Sequence, residues 1–461
     1  MYNSDTIAAI ATGMTNSGIG IIRISGSESF AVAERIFLPA NKNIKIKDAE
    51  SHTIHYGFIK DGEETVDEAM VSVMKSPRSF TTEDTVEINC HGGMLVMNRI
   101  LQLVITNGAR LAEPGEFTKR AFLNGRIDLS EAEAVMDVIS SKNDMALKSS
   151  VGQLRGKVSE KVKQLRSDII YEIAFIESAL DDPEHISLDD YPDKLLIKTD
   201  FLIKAVDNLL QSADSGRIMK EGIKTVIVGK PNAGKSSLLN ILAGEEKAIV
   251  TDIAGTTRDV LEENINLHGI SLNVIDTAGI RDTEDTVEKI GVERARKAAM
   301  DADLIIYVID ASVPLDGNDQ MIFEMIHDKK SVILLNKTDL PSVIKEDDLL
   351  EMAGKDSVMI RTSTKDATGI DLFENTVKDM FFTGKINPDQ EVVITNMRHK
   401  EALLRTLESL KQVKKSIENH MPEDFYSIDL MSAYTSLGSI IGEEVSDDLV
   451  NEIFSKFCMG K

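Results

Sequence analysis

Cysteine is scarce in this sequence, and long apolar segments are missing. Only Cys90 and Cys458 occur among 461 residues, and they lie too far apart in the sequence to suggest a redox pair. So few cysteines are typical of a reducing compartment. No apolar run approaches the roughly 18 residues of a membrane span, and the N-terminus lacks the basic and apolar regions of a secretory signal. We therefore expect a cytoplasmic protein with no membrane partner.

Positive charge is also in short supply. The chain has 52 Lys and Arg residues against 76 Asp and Glu residues, a formal net charge of -24, which argues against indiscriminate binding to nucleic acid. Residues 148–166 and 398–415 depart from this balance. Their basic side chains are Lys148, Arg155, Lys157, Lys161, Lys163, Arg166, Arg398, Lys400, Arg405, Lys411, Lys414 and Lys415. Two explanations stay open, a solvated helix face or contact with nucleic-acid phosphates.

The first 120 residues combine strand-like and helix-like patterns. The strand-like runs are GIGIIRISG, SHTIHYGFI, EAMVSVM and DTVEINC, and the helix-like runs are ESFAVAERIF and GMLVMNRILQLVITNG. This mixture predicts an α+β domain over residues 1–120. Cys90 ends one strand-like run, so we expect it in the core, and we expect a structural role for the adjacent His91.

Helical periodicity dominates the regions on either side of the chain's centre. Between residues 154 and 180, apolar side chains recur at spacings of four and three, which predicts one buried stripe on a long helix. Its members are Leu154, Val158, Val162, Leu165, Ile169, Ile173, Ile176 and Leu180. The pattern returns at Leu195, Leu202, Val206 and Leu209, and again at Leu403, Leu407, Leu410, Val413 and Ile417. We expect an all-α domain in two parts, residues 121–217 and 385–461.

The C-terminal segment VSDDLVNEIFSKFC repeats the helical pattern on a smaller scale. Acidic residues in its first turn suit the helix dipole. One stripe is expected to contain Val445, Leu449, Ile453 and Phe457. We therefore expect the tail to dock and to hold Cys458, although the helix dipole and Lys461 act on the thiol pKa in opposite directions.

Between the two helical parts, residues 218–384 alternate strand and helix. The apolar strands KTVIVG, SLNVIDTAG, LIIYVID, SVILLNKTD and VMIRTST are separated by helix-like segments, which predicts a parallel sheet covered on both faces. The fold class is thus a multidomain α/β and α+β protein, in which a parallel-sheet α/β domain is inserted into a discontinuous helical domain.

The segment GKPNAGKSS at residues 229–237 has the spacing of a P-loop. It follows an apolar strand and opens a helix. The glycines at 229 and 234 let backbone N–H groups curl around phosphate oxygens, while Lys235 reaches the outer phosphates and the Ser236 hydroxyl ligates Mg²⁺. The sequence therefore predicts a nucleotide site at the end of the first strand.

Three further motifs follow in order, each at the end of a strand. In DTAG, Asp276 supports the metal and Gly279 senses the γ-phosphate. In NKTD, Asp339 accepts both N–H donors of guanine's Watson–Crick edge, and TSTK at residues 362–365 closes over the base. A polar turn would explain any one motif alone, but the set indicates a GTPase.

The residue after DTAG is Ile280, where many GTPases have a glutamine that positions the attacking water. Another group must take this role, and the residues alone leave Asp282, Glu284, Asp285 and Glu288 as candidates. The loop TDIAGTTRD at residues 251–259 has the composition of a switch loop. Its Thr257 would complete the Mg²⁺ shell, and its carbonyl groups would hold a second cation.

Several segments together resemble the MnmE, or TrmE, family of tRNA modification GTPases. They are GIIRISG, CHGG, PGEFTKRAFLNGRIDL, GKPNAGKSS, TDIAGTTRD, DTAGIRDTEDTVEKIGVERA and the terminal FCMGK, and they cover all three regions. The resemblance implies a folate-binding N-terminal domain that forms a homodimer. It also implies a heterotetramer or larger complex with the flavoprotein MnmG, which carries FAD. The pair would add a carboxymethylaminomethyl-type group to carbon 5 of wobble uridine in certain tRNAs, with a one-carbon unit from a 5-formyl or methylene tetrahydrofolate.

The resemblance also implies roles for individual residues. Glu288 would orient the attacking water, directly or through a second water, and Ser236 and Thr257 would hold Mg²⁺. A potassium ion would be bound by Asn232, Thr251, Ile253 and Thr256. The remaining implied GTP contacts are Ala233, Gly234, Lys235, Ser237, Asp252, Ala254, Gly255, Asp276, Thr277, Ala278, Gly279, Asn336, Lys337, Asp339 and Ser363.

By the same resemblance, Arg23, Glu87 and Lys461 would bind the folate, with Arg126 at a position where the family often has lysine. Cys458 would face the folate and act in tRNA modification, but not in GTP hydrolysis. Plain alternatives are an ordinary ion pair between Arg23 and Glu87 and a merely packed cysteine. A prenylation box is disfavoured, because Gly and Lys occupy its last two positions.

Two other functions fit part of the sequence. A regulatory GTPase that assists RNA or ribosome assembly would explain the nucleotide motifs, but not the cysteine tail or the folate-like domain. A folate-dependent enzyme whose GTPase insert has lost activity is disfavoured, because the phosphate and metal residues are all present.

Overall fold

The computed structural model describes residues 5–245, 262–267, 269–275, 298–354, 357–382, 392–443, 445–458 and 460. Their packing divides into two compact units. The first unit contains the described residues of 1–136, 153–168 and 434–461, and the second contains those of 137–152 and 169–433. None of the helices in these ranges combines the length and apolar character needed to span a membrane.

Within the described ranges, the first unit is built on a seven-stranded sheet with the order β3-β4-β5-β6-β2-β1-β7. Its strands are β1 (Ile7–Ile10), β2 (Ser17–Ser25), β3 (Phe37–Pro39), β4 (Thr53–Asp61), β5 (Glu64–Met74), β6 (Thr85–Gly92) and β7 (Arg110–Leu111). The helices α1 (Ser29–Ile36) and α2 (Met94–Thr106) share one hydrophobic core with the sheet. This confirms the α+β expectation, including Cys90 in the core, although β1, β3 and β7 were not predicted.

The two faces of this sheet differ in their cover. Residues that alternate along the strands, such as Ile22 and Ile24, are fully buried against α1 and α2. On the other face, Ile7 and Ala9 of β1 pack against Phe117 of helix α3 (Glu116–Leu123). Toward β4 and β5 the same face stays exposed in this chain, so the sheet is covered on both sides only at one end.

The C-terminal tail packs against the helices that follow α3. Helix α4 (Leu129–Ser140) contributes Leu129, and the last helix, α14 (Asp447–Ser455), contributes Val450 and Phe454 to a cluster that also buries Phe457. The expected stripe of Val445, Leu449, Ile453 and Phe457 was therefore wrong in part. Ser446 caps α14 and Ser455 ends it, so the first and last of these four residues lie outside the helix, and its buried face is shifted by one position.

A glycine interrupts the expected long helix. Gly156, with φ +85, separates α5 (Asp144–Leu154) from α6 (Lys157–Asp181). The six middle residues of the predicted stripe, from Val158 to Ile176, are buried. Its two ends are not, because Leu154 is 36% exposed and Leu180 is 43% exposed. Periodicity identified the buried face correctly, but it overestimated the length of that face.

In the second unit, two long helices pack against each other: α7 (Tyr191–Glu221) and α12 (Met397–Glu418). The predicted apolar stripes on both helices are buried. Ion pairs from Lys400 to Asp214 at 2.7 Å and from Lys414 to Asp200 at 2.8 Å align the helices antiparallel. Helix α13 (Glu423–Ile441) follows α12.

The predicted parallel sheet is present and has the order β13-β12-β11-β8-β10-β9 in the described ranges. Its strands are β8 (Ile223–Val228), β9 (Glu262–Leu267), β10 (Ile270–Ile275), β11 (Leu304–Asp310), β12 (Ser331–Asn336) and β13 (Ser357–Arg361). The unpredicted edge strand β9 runs antiparallel to β10. Hydrophobic clusters cover both faces, together with α8 (Lys235–Glu245), α9 (Gly317–Ile326), α10 (Glu346–Met352) and α11 (Ile370–Phe381).

Candidate functional site

The P-loop connects β8 to α8 at the carboxyl end of the parallel sheet. Its backbone has positive φ angles at Gly229 (147), Asn232 (62) and Gly234 (106). A Cβ atom at Gly229 would lie 2.3 Å from the Val308 carbonyl oxygen, so only glycine fits there. Turns of this kind direct successive N–H groups to one side of the loop, which suits an anion.

The P-loop lysine, Lys235, is held by hydrogen bonds to the backbone of the loop. Lys235 Nζ donates to the carbonyl oxygens of Gly229 at 2.6 Å and Lys230 at 2.8 Å. The side chains of Ser236 and Ser237 are exposed in the first turn of α8, where the helix N-terminus provides positive potential. The described part of the loop therefore has the donors and the charge that a phosphate chain requires.

Asn336, the first residue of NKTD, connects three of the predicted motifs. It is fully buried, and its amide nitrogen donates to the Ala233 carbonyl at 2.8 Å and to Thr364 Oγ1 at 3.3 Å. Its amide oxygen accepts from the Thr364 N–H at 3.0 Å. A Cβ atom at Gly234 would lie 2.2 Å from the Asn336 amide nitrogen. The P-loop, NKTD and TSTK are therefore held together by one side chain.

The predicted base-recognition residues lie next to each other. Ser363 Oγ donates to Asp339 Oδ1 at 3.3 Å, or to Asp366 Oδ2 at 3.1 Å, and Lys365 Nζ lies 3.8 Å from Asp339 Oδ2. Because the Asp339 carboxylate is oriented by Ser363 and stays partly exposed, it remains open to the two N–H donors of a guanine.

Lys337 is held by a residue that sequence reasoning missed. Its Nζ lies 2.7 Å from Asp310 Oδ2 at the end of β11. Burial raises the pKa of Asp310, but hydrogen bonds from Lys337 and Ser312 outweigh burial, so the pKa lies below its ordinary value. Asp310 follows an apolar strand, as the other motifs do, and that position was its only signal. Thr364 was missed as well, although it lies within TSTK.

Many predicted residues lie outside the described ranges. They are Thr251, Asp252, Ile253, Ala254, Gly255, Thr256, Thr257, Asp276, Thr277, Ala278, Gly279, Glu288 and Lys461. Strand β10 ends at Ile275, immediately before the DTAG motif.

A second polar cluster lies on the sheet of the first unit. Arg23 and Glu87 are direct cross-strand partners on β2 and β6, and Arg23 Nε lies 2.8 Å from Glu87 Oε1. Both side chains are half-buried. The structure thus brings together two of the residues that were predicted for the folate.

Aromatic rings surround this ion pair. The Arg23 guanidinium lies 5.9 Å from the centre of the Phe80 ring and 5.6 Å from that of Phe117. The Arg126 guanidinium lies 4.9 Å from the same Phe80 ring, and its Nη1 donates to the Phe80 carbonyl at 2.6 Å. Phe80 therefore connects Arg23 to Arg126, a role that the sequence did not signal.

The C-terminal tail reaches the same cluster. The Gly460 carbonyl accepts from Arg23 Nη1 at 3.3 Å, and the Cys458 carbonyl accepts from the Gly115 N–H at 3.3 Å. A Cβ atom at Gly460 would lie 2.3 Å from the Ile10 carbonyl oxygen, so the tail is packed tightly. The Cys458 side chain is exposed within two residues of the contact with Arg23.

Several basic side chains of the two stretches are occupied by contacts within the protein, so fewer of them can bind phosphates than the composition suggests. Arg166 is only 5% exposed, forms an ion pair with Glu443 and lies 3.9 Å from the centre of the Tyr434 ring. It belongs neither to a solvated face nor to a phosphate-binding surface, contrary to both explanations of that stretch. In the second stretch, Lys400 and Lys414 form the ion pairs with α7, and Arg405 forms one with Glu401.

Two family models match the sequence over nearly its whole length. The model described as MnmE helical domain matches residues 129–458. The model described as GTP-binding protein TrmE N-terminus matches residues 6–126. The match to the helical model spans the parallel sheet as well as the helices on both sides of it.

Curated relatives named tRNA modification GTPase MnmE align with this chain from end to end. The protein of Lachnoclostridium phytofermentans is 57% identical over 458 residues, which is 99% of this chain and 100% of the relative. The protein of Acetivibrio thermocellus is 50% identical over 464 residues, 100% of both chains. The protein of Listeria welshimeri is 48% identical over 458 residues, 99% of both chains.

Proposed function

Because the chain belongs to the MnmE family of tRNA modification GTPases, we propose that it hydrolyses GTP as part of the modification of tRNA. The observation that carries the GTPase assignment is the buried Asn336 amide, which joins the P-loop to the two base-recognition motifs. That arrangement suits a ligand with phosphates at one end and a base at the other, which is the shape of a nucleotide.

The described residues divide the binding of GTP between them. The P-loop N–H groups and Lys235 bind the phosphates, and the α8 N-terminus adds positive potential. The Asp339 carboxylate selects guanine over adenine, because adenine would present an acceptor where guanine presents donors. Ser363 holds this carboxylate in place. Asn232, Ala233, Gly234 and Ser237 complete the phosphate side, and Asn336 and Lys337 the base side.

Two cations are part of the proposal. Ser236 with Thr257 would hold Mg²⁺, and Asn232 with Thr251, Ile253 and Thr256 would hold K⁺. Of these proposed ligands, the structure describes Ser236 and Asn232. Both side chains are exposed and carry an oxygen atom that can bind a cation. Bound cations stabilise negative charge that develops on the phosphates. Glu288 would orient the attacking water, since Ile280 lacks any hydrogen-bonding group.

The potassium site predicts a dependence on the monovalent ion. GTP hydrolysis by the full chain with Mg²⁺ should be far faster in potassium than in sodium buffer, because the proposed potassium ion would supply positive charge that stabilises the phosphates during hydrolysis. Steady-state phosphate release measures both rates. Equal rates would remove the proposed role of Asn232.

The second cluster supports a tetrahydrofolate site in the first unit. Glu87 would accept from the N–H groups of a pterin, and Arg23, Arg126 and Lys461 would meet the carboxylates of a glutamyl tail. The half-buried Phe80 offers an apolar surface for a flat ring. The Arg23–Glu87 ion pair is compatible with the plain alternative, so binding of 5-formyltetrahydrofolate to the full chain, measured by calorimetry, is the direct test.

Cys458 would act in tRNA modification, because its position beside the Arg23 contact puts an exposed thiol at the edge of this cluster. The variant Cys458→Ser should keep GTP hydrolysis and lose modification. Retention of both activities would mean that the cysteine is only packed.

The exposed part of the N-terminal sheet supports a homodimer. Tyr56, Met70, Asn89 and Ile21 form one row across four strands, and Ile54, Ser72, Glu87 and Arg23 form the next. Ile54, Tyr56 and Met70 are 65%, 51% and 48% exposed. Exposed apolar patches of this kind mark interaction surfaces, and we propose a second copy of the chain as the partner.

The complete activity requires partners. The proposed reaction adds a carboxymethylaminomethyl-type group to wobble uridine in the cytoplasm, with the flavoprotein MnmG supplying FAD in a heterotetramer or larger complex. Mass spectrometry of wobble uridine in tRNA from a strain that lacks this chain is the decisive experiment. Unmodified uridine supports the proposal. Normal tRNA with abnormal ribosomal particles would favour the assembly-factor alternative.

A further inference from the structure

One P-loop side chain forms ion pairs with a helix outside the nucleotide motifs. Lys230 follows Gly229, and its Nζ lies 2.6 Å from Asp319 Oδ2 and 2.8 Å from Asp316 Oδ2. Both carboxylates belong to the start of α9, where Asp316 is the N-cap residue. Burial lowers the pKa of Lys230, but the two carboxylates raise it by more, so the ammonium group stays charged.

The carboxylate that receives Lys230 is itself held rigidly. Asp319 is buried, accepts from the Tyr307 hydroxyl at 2.6 Å and accepts from the Asp316 N–H at 2.7 Å. Tyr307 is fully buried on β11 and contacts Phe323 of α9 edge-on. The carboxylate that binds Lys230 is therefore fixed to both the sheet and its covering helix.

The main chain of Lys230 shapes the phosphate-binding curve. Its carbonyl oxygen accepts from Lys235 Nζ at 2.8 Å and from the Ala233 N–H at 3.3 Å. The side chain of Lys230 is thus fixed to α9, while its carbonyl group accepts hydrogen bonds from within the P-loop. Movement of Lys230 would displace Lys235 and the N–H groups between them.

We propose that Lys230 is a positioning residue for the phosphates of the nucleotide, acting through the ion pairs that fix the P-loop to the start of α9. This inference rests on the proposed function. With its ammonium group paired to Asp316 and Asp319, Lys230 would act by reducing the number of loop conformations that binding must otherwise restrict. The functional motifs do not include Asp316, Asp319 or Tyr307, so the inference extends the site beyond them.

The test compares variants of the full chain for affinity toward a fluorescent GDP analogue with Mg²⁺ present. Lys230→Met should weaken binding by about tenfold, the expected effect of losing one charged hydrogen bond in the loop's support. Lys230→Arg should restore most of the affinity, since a guanidinium also reaches two carboxylates. The matched control is Lys224→Met, at the opposite end of β8 and exposed, which should bind as tightly as the unaltered chain.

A double variant separates positioning from simple stabilisation. Lys230→Met leaves the Asp319 charge buried and unpaired, which lowers the melting temperature. Lys230→Met combined with Asp319→Asn removes that charge but also the hydrogen bond from the Asp316 N–H, so the melting temperature should rise above that of Lys230→Met while the affinity stays weak. Recovery of both quantities would overturn the inference, because Lys230 would then serve only to stabilise α9.

Two other outcomes separate failure of this inference from failure of the proposed function. Unchanged affinity in Lys230→Met, measured beside an unaltered chain that binds the analogue, overturns this inference alone. Absence of binding by the unaltered chain overturns the proposed function, and this inference with it.

Discussion

The two cysteines of this chain differ in their exposure to solvent. Cys90 is 4% exposed within the core of the N-terminal sheet, whereas Cys458 is exposed. Removal from water raises the pKa of Cys90 to about 11, and the nearby charge of Asp67 contributes. The thiolate is the reactive form of cysteine, so both access and ionisation protect Cys90.

Alkylation should therefore distinguish the two cysteines. At pH 8 a thiol with a pKa near 11 is almost entirely protonated and therefore unreactive. We expect iodoacetamide to modify Cys458 first, with Cys90 reacting only after denaturation. Peptide mass spectrometry reads both sites, and equal rates in the native protein would contradict the buried position.

The pKa of His91 is raised by a neighbouring carboxylate. Its Nδ1 lies 2.7 Å from Asp67 Oδ1, and its backbone N–H donates to Asp67 Oδ2 at 2.8 Å. The hydrogen bond to Asp67, followed by the charge of that carboxylate, raises the His91 pKa. The stabilisation from this pair is present below the ordinary histidine pKa and is lost as the pH rises through the raised value.

NMR titration of the imidazole should therefore place the His91 midpoint above about 6.5, the ordinary histidine value. Asp67→Asn removes the carboxylate charge and should return the midpoint toward that value. An unaltered midpoint in the variant would mean that Asp67 is not the cause.

At the scale of elements, the tail helix α14 depends on few buried side chains. Phe454 is 2% exposed, with its ring centre 6.2 Å from that of Phe122 and 5.0 Å from that of Phe457. The polar contacts of Gly460 and Cys458 follow directly after it. Docking of α14 therefore decides whether the tail reaches Arg23.

Phe454→Ala should release this helix. Loss of a buried phenylalanine costs about 3–5 kcal/mol, more than a nine-residue helix with one other buried side chain, Val450, is expected to tolerate. Hydrogen exchange of residues 447–455 should become much faster. The matched control, Phe425→Ala at a side chain that is 44% exposed, should leave that exchange unchanged, and slow exchange in Phe454→Ala would show that the tail docks by other contacts.

At the scale of the whole molecule, the exposed sheet face predicts the assembly state. Met70→Lys places a charge among the apolar side chains of that face, which a second copy would have to bury. Light scattering should give the mass of a dimer for the unaltered chain and of a monomer for the variant. Ile197→Lys, at a 73% exposed residue of α7, is the control and should remain dimeric. A dimeric Met70→Lys protein would place the interface elsewhere.

The local sequence was sufficient wherever the function needs neighbouring residues. The P-loop requires Gly229, Gly234, Lys235 and Ser236 in one turn, so strand, loop and helix were all predictable from one segment. Periodicity likewise identified the buried faces of α7 and α12. It failed at Leu154, Leu180 and the tail, because a spacing shows which face is buried but not where Gly156 or Ser455 ends the helix.

Tertiary structure alone decided the contacts between distant segments. Arg23 meets a carbonyl at Gly460, which is 437 residues away along the chain, and Asn336 reaches Ala233 across 103 residues. Lys230 pairs with Asp319, and Arg166 is buried in contact with Glu443 and Tyr434, without any sequence pattern that predicts either contact. The amino-acid order by itself determined most of the elements and the expected nucleotide chemistry, since those depend on backbone geometry within a few residues. Which side chains meet across the fold depended on how the sheets and helices pack, because burial and charge pairing act through space and not along the chain.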